Sequence, residues 1–99
     1  MEFLVEFKLE IPDAASASEV EQRTRAEAVA AAGLAAEGHL LRLWRPTDAA
    51  GGPSAVGIYA ADSRAELDAL LAALPLADWL RMTVVPLSPH PNDPEPALR

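Results

Sequence analysis

No cysteine occurs among the 99 residues, which removes disulfides, thiolate metal sites and a Cys nucleophile from consideration. Aromatic side chains are scarce: two Trp, two Phe and a single Tyr. Apolar residues make up 51% of the chain, but many of them are alanine, which buries little area. A chain this short also buries a smaller share of its surface than a larger domain does, so further core is expected from partner subunits. Basic residues are few. Eight Lys and Arg face fifteen Asp and Glu, for a net charge of −7, and the basic residues are scattered rather than clustered. A nucleic-acid partner would require clustered cations to neutralise phosphates, so none is expected. No apolar run approaches the length of a membrane span, and no membrane partner is expected. Met1–Glu6 carries charges inside its apolar stretch and has no basic leader, unlike a secretory signal, so the expected address is cytoplasmic. G-x-G-x-x-G, P-loop and G-x-S-x-G patterns are all missing, leaving nicotinamide, nucleotide and serine-hydrolase chemistry without residues. Two histidines, His39 and His90, stand far apart without H-x-x-x-H or H-x-E spacing, so no metal site is expected.

What is present reads as alternating strands and helices. Phe3, Val5, Phe7, Leu9 and Ile11 fall on one side of a period-2 run, with Glu6, Lys8 and Glu10 on the other, and Pro12-Asp13 ends it. Ser16 and Ser18 each stand three residues before a glutamate, so either can open a helix with a capping box. That helix runs through an Ala-rich segment to Glu37, with Gly38 as its C-terminal stop. Residues 39–45 read as a second strand, His-Leu-Leu-Arg-Leu-Trp-Arg, with Leu41 and Leu43 on one face and Leu40 and Trp44 on the other. Apolar groups on both faces fit a strand whose second face meets another subunit. A Gly/Pro/Ala loop over 47–53 leads to a small apolar strand at 54–61. Ser63 and Glu66 form another capping box, and Leu67, Leu70, Leu71 and Leu74 follow with helical spacing until Pro75. Residues 81–87 make a fourth strand, weakened at its end by Pro86. The order β-α-β-β-α-β is the ferredoxin-like α+β arrangement, helices on one face of an antiparallel sheet, over residues 1–88. The Pro-rich stretch 89–99 is expected to be an extended arm. The uncovered sheet face calls for face-to-face dimerisation or a larger ring.

The first helix holds the most informative carboxylate. Stepping about 100° per residue from Val20 puts Thr24, Glu27, Ala31 and Leu34 on one stripe, while Glu19, Glu21, Arg25 and Glu37 point away. Glu27 is then the acid facing the sheet. Burial disfavours the charged form of a carboxylate and suits it to work as a general base. The same position also allows an i,i+4 pair with Arg23 at the helix edge. Strand two offers Arg42 and Arg45 on opposite faces, so one of them at most joins a given pocket wall. An arginine beside Trp44 suits a planar ligand bearing a carboxylate.

The run Glu37-Gly38-His39-Leu40-Leu41-Arg42-Leu43-Trp44-Arg45 resembles the muconolactone Δ-isomerase family, in which Glu-Gly precedes a strand ending Leu-Trp-Arg. Leu74-Pro75-Leu76, His90-Pro91, Pro12 and Glu27 are similar to that family as well. The resemblance implies a ferredoxin-like protomer, dimers of the α+β barrel type and often decamers. It further implies a cofactor-free proton shift in an unsaturated lactone, in aromatic catabolism. On that reading Glu27 is the base, Arg45 or Arg42 binds the carboxylate arm or the dienolate, and Trp44 and His39 shape the pocket. Departures are visible too. Family members carry a Tyr and an Asn on a shorter approach to the third strand, where this chain has Thr47-Asp48-Ala49-Ala50-Gly51-Gly52-Pro53-Ser54-Ala55-Val56-Gly57. Leu4 and Glu6 stand where basic or His residues are common. These departures point to a larger or more apolar substrate, which brings in a relative acting as isomerase or cyclase on an aromatic or polyketide metabolite. A non-catalytic ligand-binding module on the same fold is the reading from a different class.

Overall fold

A computed structural model describes residues 1–47 and 51–95. Strand β1 (Glu2–Leu9) leads to helix α1 (Ala17–Ala36), strands β2 (Leu40–Trp44) and β3 (Ala55–Ala60), helix α2 (Arg64–Ala72), a 3-10 turn (Ala77–Trp79) and strand β4 (Leu80–Leu87). The four strands form one antiparallel sheet in the order β2-β3-β1-β4. This is the ferredoxin-like α+β arrangement, with both helices on one face.

The strand alternation carries through into packing. Phe3, Val5 and Phe7 are buried, and their cross-strand partners Tyr59, Gly57, Val84 and Met82 share their face. Leu67, Leu71 and Leu74 press down from α2 and the turn after it, and Leu34 comes from α1. Leu34 is the lone buried residue of that 20-residue helix. Its alanines are too short to fill the space between it and the sheet, which leaves room for a cleft. β1 stops at Leu9, earlier than the alternation allows: Glu10 N–H still donates to Trp79 O at 2.7 Å, but Trp79 N–H is spent on Leu76 O in the 3-10 turn, so the ladder goes no further. Ile11 is exposed in consequence.

Helix boundaries follow their caps. Ser16 opens α1, its hydroxyl accepting from Glu19 N–H at 3.0 Å, and Ser63 does the same for Glu66 at the start of α2. Glu66 also reaches back to accept from Asp62 N–H. Gly38, at φ +81°, takes the left-handed turn that ends α1 and feeds β2.

Strand β2 departs from simple alternation. Its register slips between Leu40 and Arg42, so Leu40 pairs with Tyr59 and packs on the core while Trp44 pairs with Val56 on the other face. Leu40 and Trp44 therefore face opposite ways, against the period-2 expectation. The extra residue of a bulge reverses every side chain beyond it. After β4 the chain runs through Ser88 and Pro89 to a turn in which His90 O accepts from Asp93 N–H. Loop residues 48–50 and tail residues 96–99 lie outside the described set, so those parts of the expected loop and arm are not placed.

Candidate functional site

Between α1 and the open end of the sheet lies a cleft of about 520 Å³, a volume typical of small-molecule sites. Thr24, Glu27, Ala31 and Leu34 line it from α1, the same stripe marked by helical spacing. Phe7, Leu9, Leu43 and Tyr59 form the floor, while Arg45, Ser54 and Leu76 close the rim. A depression at the β4 edge also carries opposite charges, but its Arg64 and Asp68 pair with one another at 2.9 Å.

Glu27 is half-buried and does not pair with Arg23. Its Oε1 accepts from the Leu76 N–H at 3.0 Å. Arg23 instead donates to the carbonyl of Pro75 at 3.2 Å, bridges Glu19 and Asp78, and lies 4.3 Å over the ring of buried Trp79. One peptide unit, Pro75–Leu76, thus has its carbonyl held by a guanidinium and its N–H held by the candidate base. Charge on Arg23 polarises that peptide and strengthens its N–H as a donor. Pro75, which stops α2, places this unit against α1.

The other expected site residues are dispersed. Arg45 lines the cleft. Arg42 and Trp44 lie on the opposite, helix-free face, beside Ile58 and Val56, with the guanidinium 4.7 Å over the indole. His39 ties the end of α1 to the sheet: its N–H donates to Leu34 O, and its Nδ1 donates to the carbonyl of Ala60 at 2.8 Å. Leu4 and Glu6 pair with Ile58 and Val56 and so also face away from the cleft. Their departure from the family pattern does not strip this pocket.

Sequence reasoning missed Tyr59. It sits in the cleft floor, 4% exposed, edge-on to Phe7 with ring centroids 6.0 Å apart. Burial, and then the nearby Glu27 carboxylate, push its hydroxyl up to about 12 from an ordinary 10.0. The available signal was the alternation of Ala55, Gly57 and Tyr59 on the core face of a strand next to the candidate acid. Among the described residues no three His, Asp or Glu side chains converge as a metal-binding group, and no helix is long and apolar enough to cross a membrane.

Comparison with known proteins brings the geometry together with a family. The family model for muconolactone delta-isomerase matches residues 1–93. A crystal structure of muconolactone isomerase superposes with a TM-score of 0.84 at 25% identity, covering 97% of each chain. The 5-chloro-2-hydroxyhydroquinone dehydrochlorinase of Burkholderia phenoliruptrix AC1100, solved with 2,5-dihydroxybenzoquinone, shares the fold. Its TM-score is 0.64 at 18% identity, over 89% of this chain and 94% of that one. No curated protein sequence matches at a significant level.

Proposed function

The chain belongs to the muconolactone delta-isomerase family, and on that premise we propose that it is a cofactor-free isomerase moving a proton within an unsaturated lactone or a related carbonyl acid. The observation that carries this reading is Glu27: a carboxylate inside an apolar cleft, held by one main-chain N–H, with the cation Arg45 at the rim of the same cleft. Glu27 takes the proton from the carbon next to the unsaturated system. The C–H electron pair moves into that system and places charge on the carbonyl oxygen. Glu27, now a carboxylic acid, returns the proton two carbons along, and the charge leaves the oxygen. One carboxylate serves both steps, so no cofactor or second acid is required. Arg45 grips the carboxylate arm of the substrate through its planar fork and sets the ring over Glu27.

Glu27→Gln keeps shape and hydrogen bonding but cannot take a proton. Turnover is expected to fall roughly 10²–10⁴-fold with the fold intact by circular dichroism. Undiminished turnover would move the base to another residue, His39 being the next to test.

Leucines at 9, 43, 76 and 80 around the cleft favour a second reading within the same chemistry, an isomerase or cyclase of larger aromatic or polyketide acids. The dehydrochlorinase, whose solved complex holds a planar hydroxylated ring, fits the idea that this fold can accept aromatic ligands. Screening muconolactone beside aromatic carbonyl acids, with Glu27→Gln as the blank, separates the two.

A further inference from the structure

The polar inventory of the cleft is short, and most of it is already engaged. Thr24 Oγ donates to the carbonyl of Val20 at 2.7 Å within its own helix. Leu76 N–H is held by Glu27, Leu9 N–H by the hydroxyl of Ser54, and Ser54 N–H by the carbonyl of Phe7. Among the described residues no hydrogen bond engages the Tyr59 hydroxyl or the Arg45 guanidinium. With Arg45 assigned to the carboxylate arm, a proton shift still needs a donor for the oxygen that becomes negative, since an oxyanion in an apolar cleft is costly without one.

Tyr59 reaches the cleft because of a glycine. Gly57 shares its face of β3, and a Cβ there would lie 2.7 Å from Tyr59 Cε1 and 3.2 Å from Leu43 Cδ1. The ring therefore leans back along the strand over the space that Gly57 leaves, towards Ala55 and the end of the sheet that Glu27 faces. Phe7 braces it edge-on. A phenol held well above its ordinary titration range stays protonated at working pH and can only lend its proton, not lose it.

We propose that the Tyr59 hydroxyl is the hydrogen-bond donor to the substrate oxygen that gains charge when Glu27 removes the proton, and that Gly57 is the position that seats it. This rests on the proton-shift reading of Glu27. No proton passes from Tyr59: its O–H bond stays intact while charge arrives on the substrate oxygen and leaves again.

The test uses 4-hydroxy-3-nitrophenylacetate, which carries a carboxymethyl arm and a planar ring with an oxygen that ionises to a coloured phenolate. Phenylacetate, with the arm and no oxygen, is the control. Wild-type protein should bind the phenolate more tightly than phenylacetate. Tyr59→Phe, which keeps the ring against Phe7, should lose about tenfold to a hundredfold in phenolate affinity, the worth of a hydrogen bond to a charged group, and nothing for phenylacetate. Gly57→Ala should reproduce that loss by displacing the ring. No preference for the phenolate in the wild-type protein, or equal losses for both probes in Tyr59→Phe, would overturn the proposal. So would a selective loss in Ser54→Ala with none in Tyr59→Phe. The readout needs no turnover, so the base and the donor fail separately: Glu27→Gln that keeps its turnover moves the base, while phenolate selectivity lost in Tyr59→Phe keeps the donor. A second measurement uses the fact that the chain has a single Tyr. Its near-ultraviolet titration should midpoint near 12 and fall in Glu27→Gln. An unmoved midpoint would place the hydroxyl away from the base and sink the assignment.

Discussion

Arg42 and Arg45 stand on opposite faces of one sheet, and only Arg45 reaches the cleft. Arg45→Lys keeps the charge but loses the fork that grips a carboxylate. If Arg45 positions the substrate's acid group, KM rises more than kcat falls, whereas Arg42→Lys leaves both near wild type. Equal kinetic damage from Arg42→Lys would assign the arm to the other face. Tyr59 carries a pH prediction. Its hydroxyl titrates about 12 in the folded chain against 10.0 unperturbed. Between those values the unfolded chain has released a proton that the folded chain still holds, so rising pH favours unfolding. The stability tied to Tyr59 is thus complete below pH 10 and lost as pH climbs through 12. Thermal melts should show an alkaline loss in this window that Tyr59→Phe lacks. Identical alkaline profiles would contradict the burial of the hydroxyl. Glu27 was legible from helical spacing, because a single carboxylate fell on the buried stripe. Which partner it takes was not legible, since the Leu76 N–H arrives from 49 positions away.

At the scale of elements, α1 and the segment after α2 are joined at the Pro75–Leu76 peptide, and Arg23 is the fastener. Its contacts with Pro75 O, Asp78 and the Trp79 ring hold the segment whose N–H orients Glu27. Arg23→Met should cost roughly 1–3 kcal/mol in urea unfolding. It should also lower kcat, though less than Glu27→Gln does, with partial rescue by Lys. Full activity alongside the stability loss would make Arg23 a purely structural clamp. The strands and helices themselves were largely readable: alternation marks β1, paired Ser-x-x-Glu caps mark both helices, and Gly38 and Pro75 mark their ends. The face reversal in β2 was not, because a bulge is a property of pairing with β3 and leaves no mark in the periodicity of one strand. The link between β2 and β3 bears on substrate choice. Its apolar and Gly/Pro composition supplies no Tyr or Asn donor, and the cleft walls beside it are mainly apolar. Beyond Arg45 and Tyr59 a small polar lactone then finds few partners, and a site short of them discriminates poorly in its favour. We expect kcat/KM for muconolactone below about 10⁴ M⁻¹s⁻¹, the lower edge of the usual enzymatic range. A value inside that range would restore the plain catabolic substrate.

Across the whole molecule the two sheet faces have different fates. One is covered by α1 and α2. The other shows Leu4, Val56, Ile58 and Val85 in neighbouring positions, with Trp44 beside Val56 and Leu87 near the end of β4. Trp44, Val85 and Leu87 are each more than two-fifths exposed in the isolated chain. A contiguous apolar face of this kind on a small chain marks a contact surface, and stacking two such sheets about 10 Å apart buries both. Charged Glu6, Lys8 and Arg81 lie towards one end of the same face, where they restrict the relative orientation of two copies. The chain should therefore be at least a dimer in dilute buffer. Ile58→Asp places a charge at the centre of the face, beside Leu4 and with Arg42 as its neighbouring cation. Such a charge is costly to bury between sheets, so this variant should shift to monomer in light scattering. Because Ile58 points away from the Leu67 and Phe3 core, the variant should keep its helices by circular dichroism. It also reports on the arginine-stacked Trp44: if a second copy covers that indole, its fluorescence moves to the red as Ile58→Asp dissociates. A wild-type chain that is a folded monomer at micromolar concentration would remove the paired-sheet architecture altogether.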